Sequence, residues 1–99
     1  MIGHELNLNR VSLDGFLVRR RSATLHFGAS DRPATRESSW WVHLACERSP
    51  GRFEASAEPV SLSASLVSGR EIHGTVRIVE RRDDAYGSEL ILAGLELAI

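Results

Sequence analysis

The residues of this chain that could do chemistry are its four histidines, His4, His26, His43 and His73, and its single cysteine, Cys46. Imidazole can act as a base near neutral pH or as a metal ligand, and a thiolate can act as a nucleophile. His43 and Cys46 lie on opposite faces if their segment is a strand and on one face if it is a helix, and in either case a zinc site would need two further ligands from elsewhere. We therefore expect a buried, inert thiol, no metal site and no cofactor.

Signatures of the common hydrolases and nucleotide-binding enzymes are missing from the sequence. No Gly-x-Ser-x-Gly motif occurs, and the eight glycines are too dispersed to form a phosphate-binding loop. Every basic residue is arginine, so the chain cannot supply a Schiff-base amine, a P-loop lysine or a lysine base. Asp83 and Asp84 are expected to point in different directions from a turn. The sequence favours a non-enzymatic protein.

Charge and hydropathy further limit the choice of partner and compartment. The formal net charge is -1 at pH 7, so the positive field that attracts nucleic acids is missing. Arg19, Arg20 and Arg21 form the single basic run; they are candidates for contact with an anion or a partner, or for a charged edge that discourages aggregation. No apolar stretch approaches the roughly 20 residues needed to cross a membrane. We expect no membrane association and a location in the cytoplasm or in a virus particle.

Alternation of apolar and polar residues with a period of two dominates the chain and predicts β-strands. Residues 60–67 alternate most cleanly, and residues 72–78 and 90–97 predict the two strands of a long hairpin. The apolar parity shifts near Gly94, which predicts a β-bulge at a residue that tolerates unusual dihedral angles. Ser68-Gly69 predicts a turn between the first two of these strands.

The amino-terminal half follows the same pattern less regularly. Asp14-Gly15 between apolar runs predicts a two-residue hairpin turn of type I′. Residues 23–27 predict another strand, residues 28–39 the longest loop, and residues 49–51 a turn.

Residues 36–48 are open to two interpretations. A capping residue followed by Glu37 and apolar residues is compatible with a short helix. The aromatic and β-branched residues at positions 40–42 favour a strand instead. With a strand here, the whole chain is predicted to be a single all-β domain, residues 1–99, in which about seven short strands form a small antiparallel β-sandwich or β-barrel.

Two adjacent tryptophans, Trp40 and Trp41, are the most informative local feature. On a strand their side chains point to opposite faces, so only one of them can enter the core. The other is expected to contact a subunit or partner, together with apolar residues of the last predicted strand: Trp40 or Trp41 with Ile91, Leu95 and Leu97.

These observations predict a non-enzymatic protein–protein interaction or assembly module, a homo-oligomer or part of a larger assembly, of an accessory, immunity or phage-structural type. The alternative is a small-ligand-binding barrel or minor enzyme whose pocket is lined by a tryptophan, His43 and His73. Concentration-dependent mass would separate the two hypotheses.

Overall fold

In the computed structural model, residues 4–28, 39–47 and 53–98 are described. These residues form seven β-strands and no helix, which confirms the predicted all-β class and number of strands. The helix proposed for residues 36–48 is wrong over positions 40–46, which form a strand; positions 36–38 and 48 lie outside the described residues, as do the predicted turn at 49–51 and most of the predicted loop at 28–39. The strands are β1 (His4–Leu13), β2 (Phe16–Leu17), β3 (Arg20–Phe27), β4 (Trp40–Cys46), β5 (Pro59–Leu66), β6 (Glu71–Asp84) and β7 (Gly87–Ala98).

Six of the strands close into an antiparallel barrel in the order β1-β3-β4-β7-β6-β5, with β5 pairing back onto β1. The short strand β2 pairs with β1 alone among the described strands. Closure leaves few free edges and explains why nearly every strand alternates in polarity, since each one has an inner and an outer face. A barrel, rather than a sandwich, is therefore the architecture.

Apolar side chains from every long strand fill the barrel interior. Because the interior of a six-stranded barrel is narrow, branched aliphatic residues and the rings of Trp40 and Phe53 are enough to pack it without a channel. Those with the least exposure are Leu8, Val11, Leu13, Leu25, Val42, Leu44, Leu62, Ile72, Val76, Leu90 and Leu92.

The turns follow the predicted chemistry. Asp14 has a φ of 50° and Gly15 a φ of 84°, as a type I′ hairpin requires, and Leu13 pairs with Phe16 across the turn. The turn at Ser68-Gly69 is also present, with Gly69 at a φ of 97°. These two connections were therefore predicted correctly from local signals. Asp83 and Asp84, which were expected in a turn, instead lie at the end of β6 and pair with Ser88 and Gly87.

The predicted bulge is present in β7, although the glycine has a different role from the expected one. Thr75 pairs with Glu96 and Val76 with Gly94, so Leu95 is the extra residue. The Trp40 ring lies against Gly94 so closely that a Cβ atom there would be 2.1 Å from Trp40 Cε2. A glycine is thus needed at position 94 because the Trp40 ring occupies the space of a side chain. The φ of Gly94 is not positive, so an unusual backbone conformation is not the reason.

Within the described ranges, the chain has no helix with the length and apolar character that a membrane crossing requires.

Candidate functional site

Four neighbouring strands, β3, β4, β7 and β6, present one continuous outer surface, which we call the outer wall. Their pairing registers align outward-facing side chains in three rows that cross the wall. The first row is His26, Trp41, Ala93 and Arg77; the second is Thr24, His43, Ile91 and Glu80; the third is Ser22, Ala45, Glu89 and Arg82.

Trp41 and His26 form a parallel stack at the β3 end of the first row. Their ring centroids are 4.0 Å apart and the ring planes differ by 10°. The two residues are direct cross-strand partners, which brings their side chains together on the same face of the sheet. Trp41 remains half-buried, so part of the indole faces solvent as a rigid aromatic surface.

The environment of His26 favours its neutral form. Burial lowers the pKa of His26, the Glu5 carboxylate beside it opposes this effect, and His43 adds to the lowering. A neutral imidazole stacks on the indole without the hydration that a charged ring would require. The stack is therefore an apolar surface at neutral pH.

We expect the pKa of His26, measured by NMR titration, to lie below 6.5. Because the folded chain then binds this proton less readily than the unfolded chain, the free energy of unfolding decreases as the pH falls from 6.5 towards the lower folded-state pKa. Above pH 6.5 both states are neutral and the effect vanishes. We expect the free energy of unfolding, measured with urea, to differ less between pH 5 and pH 7.5 for His26→Gln than for the wild type.

The control for this measurement is His73→Gln, which removes an exposed imidazole on β6. The free energy of unfolding of this variant should change between pH 5 and pH 7.5 by an amount closer to the wild-type change. A measured His26 pKa above 6.5 would contradict the assignment.

In the second and third rows, polar side chains cover an apolar residue. His43 Nε2 lies 2.8 Å from Glu89 Oε1, and Arg82 Nη2 donates to Glu80 Oε1 at 3.3 Å. Ile91 lies between these pairs and is only 3% exposed. The cavity among these side chains holds about 20 Å³, which is the size of a single water and too small for an organic ligand.

The structure divides the predicted interface residues into two groups. Trp40 is 4% exposed in the barrel core, Leu97 packs against that core, and Ile91 is covered by polar side chains of its own chain. Trp40 is therefore the tryptophan that enters the core, and Ile91 is not available to a partner in this fold. Leu97 is only partly buried and also lines an open depression beside His73, so its role in an interface stays a prediction. Trp41 and Leu95, which is 51% exposed in the bulge of β7, remain accessible.

The arginine run is also divided. Arg20 Nε donates to the Asn9 carbonyl at 2.6 Å and Arg20 Nη2 to Asn9 Oδ1 at 3.2 Å, where the β1 register shifts. Arg20 therefore stabilises an irregular part of the barrel. Arg19 and Arg21 are exposed, and their contact with an anion or a partner stays a prediction.

His43 and His73 do not share a pocket. His43 belongs to the outer wall, whereas His73 Nδ1 lies 3.1 Å from Ser63 Oγ on the exposed surface of β5 and β6, beside a separate open depression. The barrel interior that would have joined them is filled by the apolar core. The prediction of one pocket lined by both histidines is therefore wrong for the described residues, since the two lie beside separate depressions.

Cys46 points into the core, opposite to His43. Burial raises the pKa of the Cys46 thiol to about 11, against the smaller opposing effects of Arg21 and Arg81. A neutral, inaccessible thiol is a poor nucleophile. Among the described residues, no three histidine, cysteine or acidic side chains converge in a way that could hold a metal ion.

Sequence reasoning missed the partners that form the outer wall. His26 and Trp41 are fifteen positions apart and His43 and Glu89 forty-six, so their pairing depends on strand registers. Comparisons of the chain with protein-family models, with curated proteins and with solved structures find no match. The fold and its site define a filled, six-stranded antiparallel barrel with an aromatic and ionic outer wall.

Proposed function

We propose that this chain is a non-enzymatic protein–protein interaction module that assembles through the outer wall of its barrel, with a second copy of the chain as the partner. The observation that carries the proposal is the Trp41–His26 stack. Trp41 is not needed to fill the core, yet it lies on the outer wall stacked on a specific partner, His26. Tryptophan is the residue type most enriched among energetically dominant interface residues.

The charges around the stack support self-association. Glu5 flanks His26, and Glu80 and Glu89 lie in the neighbouring rows, so carboxylates occur on both sides of the aromatic centre. Arg77 lies in the same row as Trp41 and Arg82 in the third row. Glu80 and Glu89 already contact Arg82 and His43 within the chain. A twofold axis near Trp41 would bring the surface against a copy of itself, where Glu5 of one copy can meet Arg77 of the other.

The apolar residue of the β7 bulge extends this surface. Leu95 lies two positions beyond Ala93, the residue that pairs with Trp41. Its exposed side chain would add apolar area beside the indole. An assembly anchored by Trp41 and Leu95, with charged groups at its rim, has the usual anatomy of a protein interface.

The ligand-binding alternative receives less support. A carrier barrel needs an internal cavity, whereas the described interior is packed with aliphatic side chains and Trp40. The cavity beside His43 accommodates about one water. An enzyme would need polar groups that converge on a substrate, whereas the Cys46 thiol is buried in the core and is not accessible to one.

Sedimentation equilibrium over a wide range of protein concentration tests the proposal. We expect a wild-type dimer at high concentration and a weakening of dimerisation by at least about tenfold for Trp41→Ala, since central aromatic anchors cost 2 kcal/mol or more on truncation. The matched control is Tyr86→Ala, which removes a 76% exposed aromatic ring from the β6–β7 turn, away from the three rows. This variant should dimerise like the wild type.

Two results would overturn the proposal. One is a monomeric wild type at every accessible concentration. The other is a dimer that Trp41→Ala leaves intact while the circular dichroism spectrum shows the variant to be folded, because the dimer would then use another surface.

A further inference from the structure

A groove at the β1–β2 end of the barrel is a second surface, distinct from the outer wall. We call it the hairpin groove, and its volume is about 300 Å³. Its less exposed apolar lining residues, Phe53, Val60 and Ile78, are called its floor, and the exposed Phe16 and Pro59 complete the apolar lining. A volume of this size accommodates one large apolar side chain with part of its backbone. Phe16 is 48% exposed at its edge.

The first side of the hairpin groove is fixed by the β1–β2 hairpin. Asp14 N donates to the Ser61 carbonyl at 2.9 Å, and Ser61 N donates to Asp14 Oδ1 at 2.9 Å. This reciprocal pair ties the turn to β5. The hairpin that presents Phe16 is therefore held in place before any ligand binds.

The second side is fixed by contacts to β6. Ser56 N donates to the Ile78 carbonyl at 2.9 Å, and Arg81 Nη1 donates to the Phe53 carbonyl at 2.7 Å. Ser56 Oγ accepts a hydrogen bond from Glu58 N at 3.1 Å, which shapes the chain before β5. A groove with both sides already ordered binds at a lower entropic cost.

The charge at the rim selects the ligand. Among the residues that the structure describes, the ionisable side chains that line the hairpin groove are Asp14, Glu54 and Glu58, and these three are acidic. Glu54 and Glu58 are exposed and form no ion pair with any residue that the structure describes. The guanidinium of Arg81 is directed instead to the Phe53 carbonyl and to Asp83.

The geometry points to a peptide-binding site: the hairpin groove takes an apolar side chain of a partner peptide, and the acidic rim binds arginine or lysine residues that flank it. An apolar floor without charge would not distinguish among peptides, and an acidic surface without a floor would attract cations without anchoring them. Their combination selects basic segments with one apolar anchor. This inference does not depend on the proposed function, because the two surfaces share no residue.

The test uses the full chain and a blocked decapeptide that has one leucine between two pairs of arginines in a serine and glycine background. We expect its amide chemical-shift changes in NMR to map to positions 14–16 and 53–60, with weaker binding at high salt. Replacing the arginines of the peptide by glutamates, or its leucine by serine, should each reduce the affinity by about tenfold or more.

Variants of the protein separate the roles of rim and floor. The double variant Glu54→Gln, Glu58→Gln should bind the peptide about three- to tenfold more weakly, as expected for two exposed charge pairs. Glu71→Gln, at the exposed start of β6 near the opposite end of the barrel, is the matched control and should bind like the wild type. Phe16→Ser should weaken binding further while the remaining amide spectrum shows a folded barrel.

Equal binding of the acidic and basic peptides would overturn the assignment, as would shift changes that map to Trp41 and its neighbours. Binding that survives the loss of the leucine would show a non-specific attraction of cations and would equally overturn it. Each of these outcomes is separate from the failure of self-association through Trp41.

Discussion

Replacing Trp40 by alanine is expected to lower the free energy of unfolding by about 3–5 kcal/mol, whereas the same change at Trp41 should lower it by about 1 kcal/mol. The two residues are neighbours in β4 and have the same chemistry. Trp40 points into the barrel, is 4% exposed and contacts Gly94 and Gly74 through its ring. Trp41 lies on the outer wall, half-buried, so its removal leaves no internal cavity.

Urea unfolding is monitored by circular dichroism and not by fluorescence, because each variant lacks one of the two tryptophans that give the fluorescence signal. The two variants are each other's controls, since both lose one indole from the same strand. Equal losses of stability would contradict the assignment of one ring to the core and the other to the surface. A change in the slope of the free energy against urea concentration would show that the surface exposed on unfolding, or the two-state character of the transition, had also changed.

Gly94→Ala is expected to lower the free energy of unfolding by about 2–3 kcal/mol, a large effect for the addition of one methyl group. An alanine Cβ would lie 2.1 Å from Cε2 and 2.3 Å from Cδ2 of Trp40, well inside van der Waals contact. The ring itself is fixed by the closed barrel, so the β7 backbone would have to move. Thermal or urea unfolding measures the loss.

A double-mutant cycle identifies the cause. In a Trp40→Leu background the indole is gone, and the cost of Gly94→Ala should fall to well under half of its value in the wild type. If the cost is the same in both backgrounds, the bulge itself, and not the indole, requires the glycine. The cycle therefore tests the packing relationship across β4 and β7 directly.

Much of the strand content could be predicted because each face of a strand has its own environment. The serines that alternate with Val60, Leu62 and Ala64 identified β5, and Asp14-Gly15 identified a type I′ turn, since both signals depend on residues close in sequence. The bulge beside Gly94 was visible as a shift in apolar parity for the same reason. In residues 40–46 the aromatic and β-branched side chains favoured a strand over a helix, which the structure confirms.

The interface prediction was less accurate because alternation shows that two faces differ without showing what covers each one. Ile91, which lies in the continuous apolar run Leu90 to Ala93, was predicted to contact a subunit or partner. In the fold, His43, Glu80 and Glu89 approach Ile91 from β4, β6 and β7 itself. Cover for the apolar run therefore comes from the same chain.

The hairpin groove was not predicted at all. Asp14 was interpreted only as a turn residue, and the segment around Phe53 gave no regular pattern. Their proximity arises from the hydrogen bonds that join the β1–β2 hairpin to β5 and residues 53–56 to β6. Contacts of this kind leave no periodic signal in the sequence.

The amino-acid sequence by itself determined that this chain forms antiparallel strands, where its tight turns occur and that its adjacent tryptophans point to opposite faces, because these properties depend on local backbone geometry and side-chain polarity. Only the tertiary structure decided that the sheet closes into a barrel, which tryptophan enters the core and which side chains become neighbours. Those properties depend on registers between strands distant in sequence, and a register becomes defined only when the interior packs.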